Sequence, residues 1–299
     1  MVIQCRYSFR VLLFIICLQV TGCGTASQKY YILAEDLAKR NGLQKDVVQT
    51  QNFAITAYHS FKDNKQPLRI YIEGDGLAYR SRSKPSKDPT PRDPVVLKLM
   101  IVDNYTNKAY LARPCHYSQQ DLLSACSVKN WTTERFSPVI IRSMNEAVSK
   151  LKEQNGARDI ELIGFSGGGA VAVLIAALRD DVKSIRTVAG NLDHAAFTKH
   201  HDVTPLDGSL NPVDVASRIA HIPQIHFSGQ NDTVVPLSIA ESYLHNLHNK
   251  NCIKIQTVPH VTHGRGWSEV WNVLLDIPFA LCIGPHEKPS IVDNNLANR

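Results

Sequence analysis

The hexapeptide Gly164-Phe165-Ser166-Gly167-Gly168-Gly169 joins a short apolar run, Asp159 to Gly164, to a nearly all-apolar one, Ala170 to Leu178. It fits the pattern G-x-S-x-G in the strand-then-helix setting which that pattern requires. A serine on so sharp a turn holds its hydroxyl above the sheet edge, and the flanking glycines leave room where strand and helix approach. The helix starts at once, so N–H groups at its N-terminus can receive developing negative charge. The chemistry implied is nucleophilic attack by Ser166. A glycine-rich structural turn is the plain alternative. A phosphate-cradling dinucleotide loop fits less well, because the spacing is not G-x-G-x-x-G and the unit is mid-chain.

A serine hydroxyl is a weak nucleophile until a base takes its proton, and the base needs an orienting acid. Acids and histidines occur downstream where strands should end. Ser228-Gly229-Gln230-Asn231-Asp232 follows the run Ile222 to Phe227, and AGNLD, with Asp193, follows Val182 to Val188. After Cys252 to Val258 come His260 and His263, the latter just before Gly264. Taken singly, a loop aspartate is more often a helix cap and a loop histidine more often solvated. The signal is their joint occurrence in order.

These pieces need a scaffold. Alternation over Phe53 to His59 and the run Leu68 to Ile72 predict strands, and Lys108 to Arg113 a third. Asp93 is expected to cap a helix with Pro94 in its first turn, running to about Val102. Thr132 or Thr133 is expected to cap the next, whose apolar face is Ile140, Met144, Ala147, Val148 and Leu151 and whose stop is Asn155-Gly156. Helices are further expected over Pro236 to His248 and Trp267 to Leu275, and residues 190–213 read as a long polar loop. Strand and helix thus alternate, which predicts an α/β domain with a mostly parallel sheet covered on both faces. Ligands on such sheets bind beyond the carboxyl ends of the strands.

In YIEGDG, ARPCHYS, GFSGGGA, TVAGNLD, GQNDTVVP and HGRGW, spread over roughly residues 53–275, the chain resembles the α/β-hydrolase superfamily, and within it exported bacterial hydrolase lipoproteins. The resemblance implies the α/β-hydrolase fold and a triad of Ser166, Asp232 and His263, with Asp193 and His260 as alternatives. It implies oxyanion donors at Gly167 and in the 74–76 loop, at the N–H of Asp75 or Gly76. That loop has acidic residues where the H-G-G-G type has His and Gly, and Asp-Gly also favours simple turns. Residues 77–92 and 190–213 are expected to be lid and specificity loops, with TVAGNLD and the following His194, His200 and His201 in the cleft wall. No cofactor or metal is implied. The expected reaction is hydrolysis of an ester or related acyl bond, such as that of a lipid ester, through an acyl-enzyme. The alternative is a catalytically silent lipoprotein that binds a ligand or partner in the cleft; peptidase or acyltransferase chemistry on the same scaffold is a third.

Arg6 and Arg10 precede an apolar run, Val11 to Val20, of about ten residues, too short to span a bilayer. Val20-Thr21-Gly22-Cys23 then resembles a lipobox, which implies removal of residues 1–22, acylation of Cys23, and a stable lipid anchor. Gly24 rather than Asp follows, which by the same resemblance favours the periplasmic face of the outer membrane. The expected division is a signal peptide 1–22, an anchor, linker and N-terminal helix 23–52, the hydrolase domain 53–284 and a flexible tail 285–299. Of seven cysteines, four remain beyond the leader and Cys23: Cys115, Cys126, Cys252 and Cys282. An even number in an oxidising compartment suggests two disulfides in any of three pairings. Cys115–Cys126 with Cys252–Cys282 is preferred, since each pair brackets one loop or one C-terminal unit. Composition is ordinary, with 43% hydrophobic and 20% charged residues. The net charge of +6 is scattered rather than striped, which argues against nucleic-acid binding.

Overall fold

The computed structural model describes residues 26–117 and 125–282. The expected signal peptide, Cys23 and the expected 285–299 tail lie outside the described residues. Among those described, eight strands form one sheet: β1 (Gln44–Gln49), β2 (Ala54–Phe61), β3 (Leu68–Ile72), β4 (Asn107–Leu111), β5 (Ile160–Phe165), β6 (Val182–Val188), β7 (Gln224–Gly229) and β8 (Ile253–Val258). Their order is β1-β2-β4-β3-β5-β6-β7-β8. β2 is antiparallel to both β1 and β4, and every later pairing is parallel. The helices are α1 (Ala26–Arg40), α2 (Val95–Val102), α3 (Pro138–Asn155), α4 (Gly167–Ala176), α5 (His194–His201), α6 (Pro212–Val215), α7 (Leu237–His245) and α8 (Trp267–Leu275).

Alternation along each strand divides the core in two. Leu68, Ile70, Ile72, Ile160 and Leu162 face α3 and α4, where they meet Ile140, Met144, Val148, Val171 and Ile175. Tyr71, Tyr110, Ile163 and Phe165 face the other way, toward α1, α2 and α8, through Ala34, Val96, Met100, Trp267 and Trp271. Full burial of such side chains stabilises by about 1.5–3 kcal/mol each. Polar groups that enter these layers are matched. Trp271 Nε1 donates to the Tyr71 hydroxyl at 3.1 Å, and that hydroxyl donates to Asp103 at 2.6 Å. Asp103 also takes Arg69, whose Nε reaches Glu161 at 2.7 Å.

Several local expectations change. The sheet begins before residue 53, because β1 adds an edge strand at 44–49. Its sequence, QKDVVQ, buries only one residue and so carries little apolar alternation. α2 begins at Val95 with Pro94 in the cap position and no side-chain cap; Asp93 instead pairs with Lys98. α3 is capped by Ser137, not Thr132 or Thr133, and Pro138 opens it. Thr132 is turned back to the carbonyl of Val128 in a short 3-10 turn. The 190–213 segment holds α5, whose start is capped by Asp193. Of the three cysteine pairings, the structure has Cys115–Cys126 and Cys252–Cys282. No helix among the described residues is long and apolar enough to cross a membrane.

Candidate active site

The nucleophile turn follows from crowding at the end of β5. Ser166 has φ 52° and ψ −120°, a strained conformation for a residue with a side chain. Its N–H donates to Val188 O at 2.9 Å, and its carbonyl accepts from Gly169 N and Asn191 N, each at 3.0 Å. The turn is thereby tied to the end of β6 and the loop after it. Gly168 is forced by proximity: a Cβ there would lie 2.2 Å from Ile72 O and 2.5 Å from Glu73 O, both backbone.

The candidate acid, Asp232, sits in the loop after β7. Asp232 Oδ1 accepts from Val234 N and Val235 N, both at 2.8 Å, which fixes the carboxylate plane. Oδ2 lies 2.9 Å from His263 Nδ1, and His263 Nε2 lies 3.1 Å from Ser166 Oγ. With the proton on Nδ1, the imidazole donates to Asp232 and accepts from the serine hydroxyl. Buried Trp267 at the start of α8 holds the histidine loop, donating to Thr262 O and His263 O. The Phe165 ring packs beside the imidazole at 5.0 Å. The Asp232 side chain is fully buried, while His263 remains 22% exposed toward the cleft.

The alternatives are placed elsewhere. His260 is exposed with φ 62° and does not line the cleft. Asp193 accepts from Ala195 N, Ala196 N, Asn211 Nδ2 and Ser242 Oγ, so its carboxylate belongs to the start of α5. Burial would raise that carboxyl, but these donors hold it below its usual range.

The loop after β3 lies against α4. Gly167 N, at the first turn of α4, has no acceptor within its helix. The N–H groups of Asp75 and Gly76 hydrogen-bond no described residue. The Asp75 side chain is pressed against Gly167, where a Cβ would meet Asp75 Oδ1 at 2.0 Å. Its carboxylate is clamped by Arg113 Nη1 at 3.0 Å and Arg135 Nη1 at 2.8 Å. Burial would raise its pKa; the two guanidiniums outweigh that and hold it below the ordinary value. Glu73 is buried beside it and pushed up to about 7 by burial, against the opposing bonds from Gly74 N and the Tyr110 hydroxyl.

These elements enclose a cleft of about 390 Å³ that contains Ser166 and His263. Its walls draw on both expected loops, through Leu77, Tyr79 and Arg92 on one side and Asn191 and Phe197 on the other. Arg82 joins the two segments by donating to Asp202 Oδ2 at 3.0 Å. His194, His200 and His201 do not line the cleft, contrary to expectation. His194 instead stacks on Phe136, and His201 bonds Val234 O. Asn191, within TVAGNLD, lines the cleft as expected, whereas Arg135 is a cleft residue that pattern reading passed over, because it belongs to no motif. Among the described residues no group of three His, Cys, Asp or Glu side chains is arranged to hold a metal.

A family model described as serine hydrolase (FSH1) matches residues 115–262, which takes in Ser166 and Asp232 and stops one residue before His263. No curated protein matches the chain. Solved structures share the fold. Est1E from Butyrivibrio proteoclasticus is 16% identical, with 78% of this chain and 97% of that one covered at a TM-score of 0.52. The Pyrococcus furiosus esterase is 14% identical, with 79% and 90% covered at 0.55. The Pyrococcus horikoshii acylaminoacyl peptidase is 12% identical, with 78% and 40% covered at 0.56. The chain has the α/β-hydrolase fold, and its residues 115–262 resemble the serine-hydrolase family.

Proposed function

We propose that this protein cleaves an ester or related acyl bond through an acyl-enzyme on Ser166. His263 Nε2 takes the hydroxyl proton as Oγ attacks the acyl carbon, then gives it to the leaving group. Asp232 holds the imidazole in the required tautomer and stabilises the imidazolium. Gly167 N–H and an N–H of Asp75 or Gly76 receive the oxyanion. Water activated by the same histidine releases the acid and frees Ser166. The observation that carries this reading is the unbroken chain Asp232–His263–Ser166, with bonds of 2.9 and 3.1 Å, inside a cleft. A fluorophosphonate probe should label the purified protein, and Ser166→Ala should abolish labelling. Labelling that survives the substitution would reject the assignment.

We also propose that the mature protein works at the bacterial envelope, held at the periplasmic face of the outer membrane by acyl chains on Cys23. The support is the sequence Val20-Thr21-Gly22-Cys23 after an apolar leader. Metabolic labelling with a palmitate analogue should mark the wild type and not Cys23→Ala. Equal labelling of both would remove the anchor.

A further inference from the structure

The charges around the cleft do not balance, and the excess sits beside the reacting serine. One carboxylate, Asp75, is shared by two buried guanidiniums, Arg113 and Arg135. The other acids lining the cleft are already engaged. Asp93 pairs with Lys98 at 2.5 Å. Glu73 is fully buried, accepts from Gly74 N, and is held toward its neutral form by that burial. The buried His116 near Asp75 is kept uncharged at neutral pH, its pKa lowered to about 3 by burial. Arg92, exposed on the rim, has no acidic partner among the described residues.

Arg135 is the member of the clamp that lines the cleft. Its side chain is nine-tenths buried. Nε donates to Thr132 O at 2.7 Å and Nη1 to Asp75 Oδ2 at 2.8 Å, while Nη2 bonds no described residue. A desolvated guanidinium with an uncommitted Nη2 suits an oxyanion, to which it can donate a charge-assisted hydrogen bond. Only the Asp75 carboxylate separates it from Gly167.

Resting on the serine-hydrolase reading above, we propose that the cleft takes an acyl compound bearing a second, anionic group, a carboxylate or a phosphate. Arg135 anchors that anion and Arg92 attracts it from the rim. The anion is held apart from the scissile carbonyl, so that binding positions the carbonyl between Ser166 and the oxyanion donors. A neutral ester would still enter and react, but without that anchor.

The test is a ratio of kcat/KM values. The full chain would be given mono-4-nitrophenyl glutarate, its phosphate-terminated counterpart, and the neutral methyl ester of the glutarate. Either anion, or both, should exceed the neutral ester by tenfold or more, and added salt should shrink the margin. The stronger arm identifies the anion as carboxylate or phosphate. Arg135→Gln should cut the ratio at least tenfold, and Arg92→Gln several-fold. The exposed Arg92 keeps the test usable if Arg135→Gln fails to fold. A wild-type ratio near one, or a ratio unchanged in both variants, would overturn the proposal. A ratio that falls in Arg92→Gln but not in folded Arg135→Gln would overturn the anchor. Turnover of the neutral ester and fluorophosphonate labelling report Ser166 chemistry separately, so the subsite can fail while the hydrolase reading stands.

Discussion

Asp75→Asn isolates the clamp that binds the 74–76 loop to α4. In the wild type one carboxylate satisfies Arg113 and Arg135 at 3.0 and 2.8 Å, with both guanidiniums at least nine-tenths buried. The amide is nearly isosteric, so packing against Gly167 is kept and the charge alone is removed. Two guanidiniums are then left buried without an anion, and the Asn Nδ2 group faces an N–H donor it cannot accept. Breaking a buried pair in this way costs about 3–5 kcal/mol. At about 2–4 °C per kcal/mol for a domain of this size, Tm should fall by roughly 10 °C. Thermal unfolding followed by circular dichroism would measure it, with Asp202→Asn as the control. Asp202 also pairs with an arginine, Arg82, but its side chain is 99% exposed, so that pair contributes little. Activity on a neutral ester should fall as well, because the loop proposed to supply the second oxyanion donor loses its clamp. If Asp75→Asn lowers Tm no further than Asp202→Asn does, the clamp does not hold the loop and the reasoning fails.

The two aspartates after β6 and β7 should separate cleanly. Asp232→Asn should lower kcat by up to about 10⁴-fold, because the amide favours the wrong imidazole tautomer. Asp193→Asn should keep turnover and lose only about 1 kcal/mol of capping stability; equal kcat losses would contradict this. Gly168→Ala should fold poorly or lose several kcal/mol, since its Cβ would meet backbone at 2.2 Å that cannot yield. A Tm unchanged by that substitution would mean the strand-to-helix approach is looser than it looks. Glu73 carries a pH signature. Its folded pKa of about 7 lies above the unfolded value of 4.5, so folding takes up a proton between those pH values. Its contribution is therefore fully present below about pH 4.5 and is lost as pH rises toward 7, by on the order of 3 kcal/mol. Glu73→Gln should flatten the Tm–pH curve across that window, and an unchanged slope would place the titration elsewhere.

Much of this was readable before any coordinates. Ser166 lay in a six-residue pattern with a steric reason behind every glycine, and the parallel sheet followed from apolar runs alternating with helical ones. Elements such as β6 and α8 were legible to the end, β6 because its burial is nearly continuous and α8 because Trp267, Trp271 and Leu274 recur at helical spacing. β1 was not, because an edge strand with one buried residue leaves no period to read. The α3 cap was misplaced because Thr132, Thr133 and Ser137 are chemically equivalent N-caps. Only the backbone path decides which hydroxyl meets a free N–H.

Within the site, the sequence determined the kinds of group available: one serine on a glycine turn, and two aspartates and two histidines in usable order. It could rank Asp232 over Asp193 and His263 over His260, but distance along the chain does not fix distance in space. Tertiary structure decided that Asp193 caps α5, that His260 faces solvent, and that His263 bridges residues 31 and 97 positions away. It also brought Arg113 and Arg135 onto one carboxylate from loops 38 and 60 residues distant from Asp75. An ion clamp of that kind has no local pattern. Its energy depends on burial and on three chains of atoms meeting, and both exist only once the sheet has closed over them.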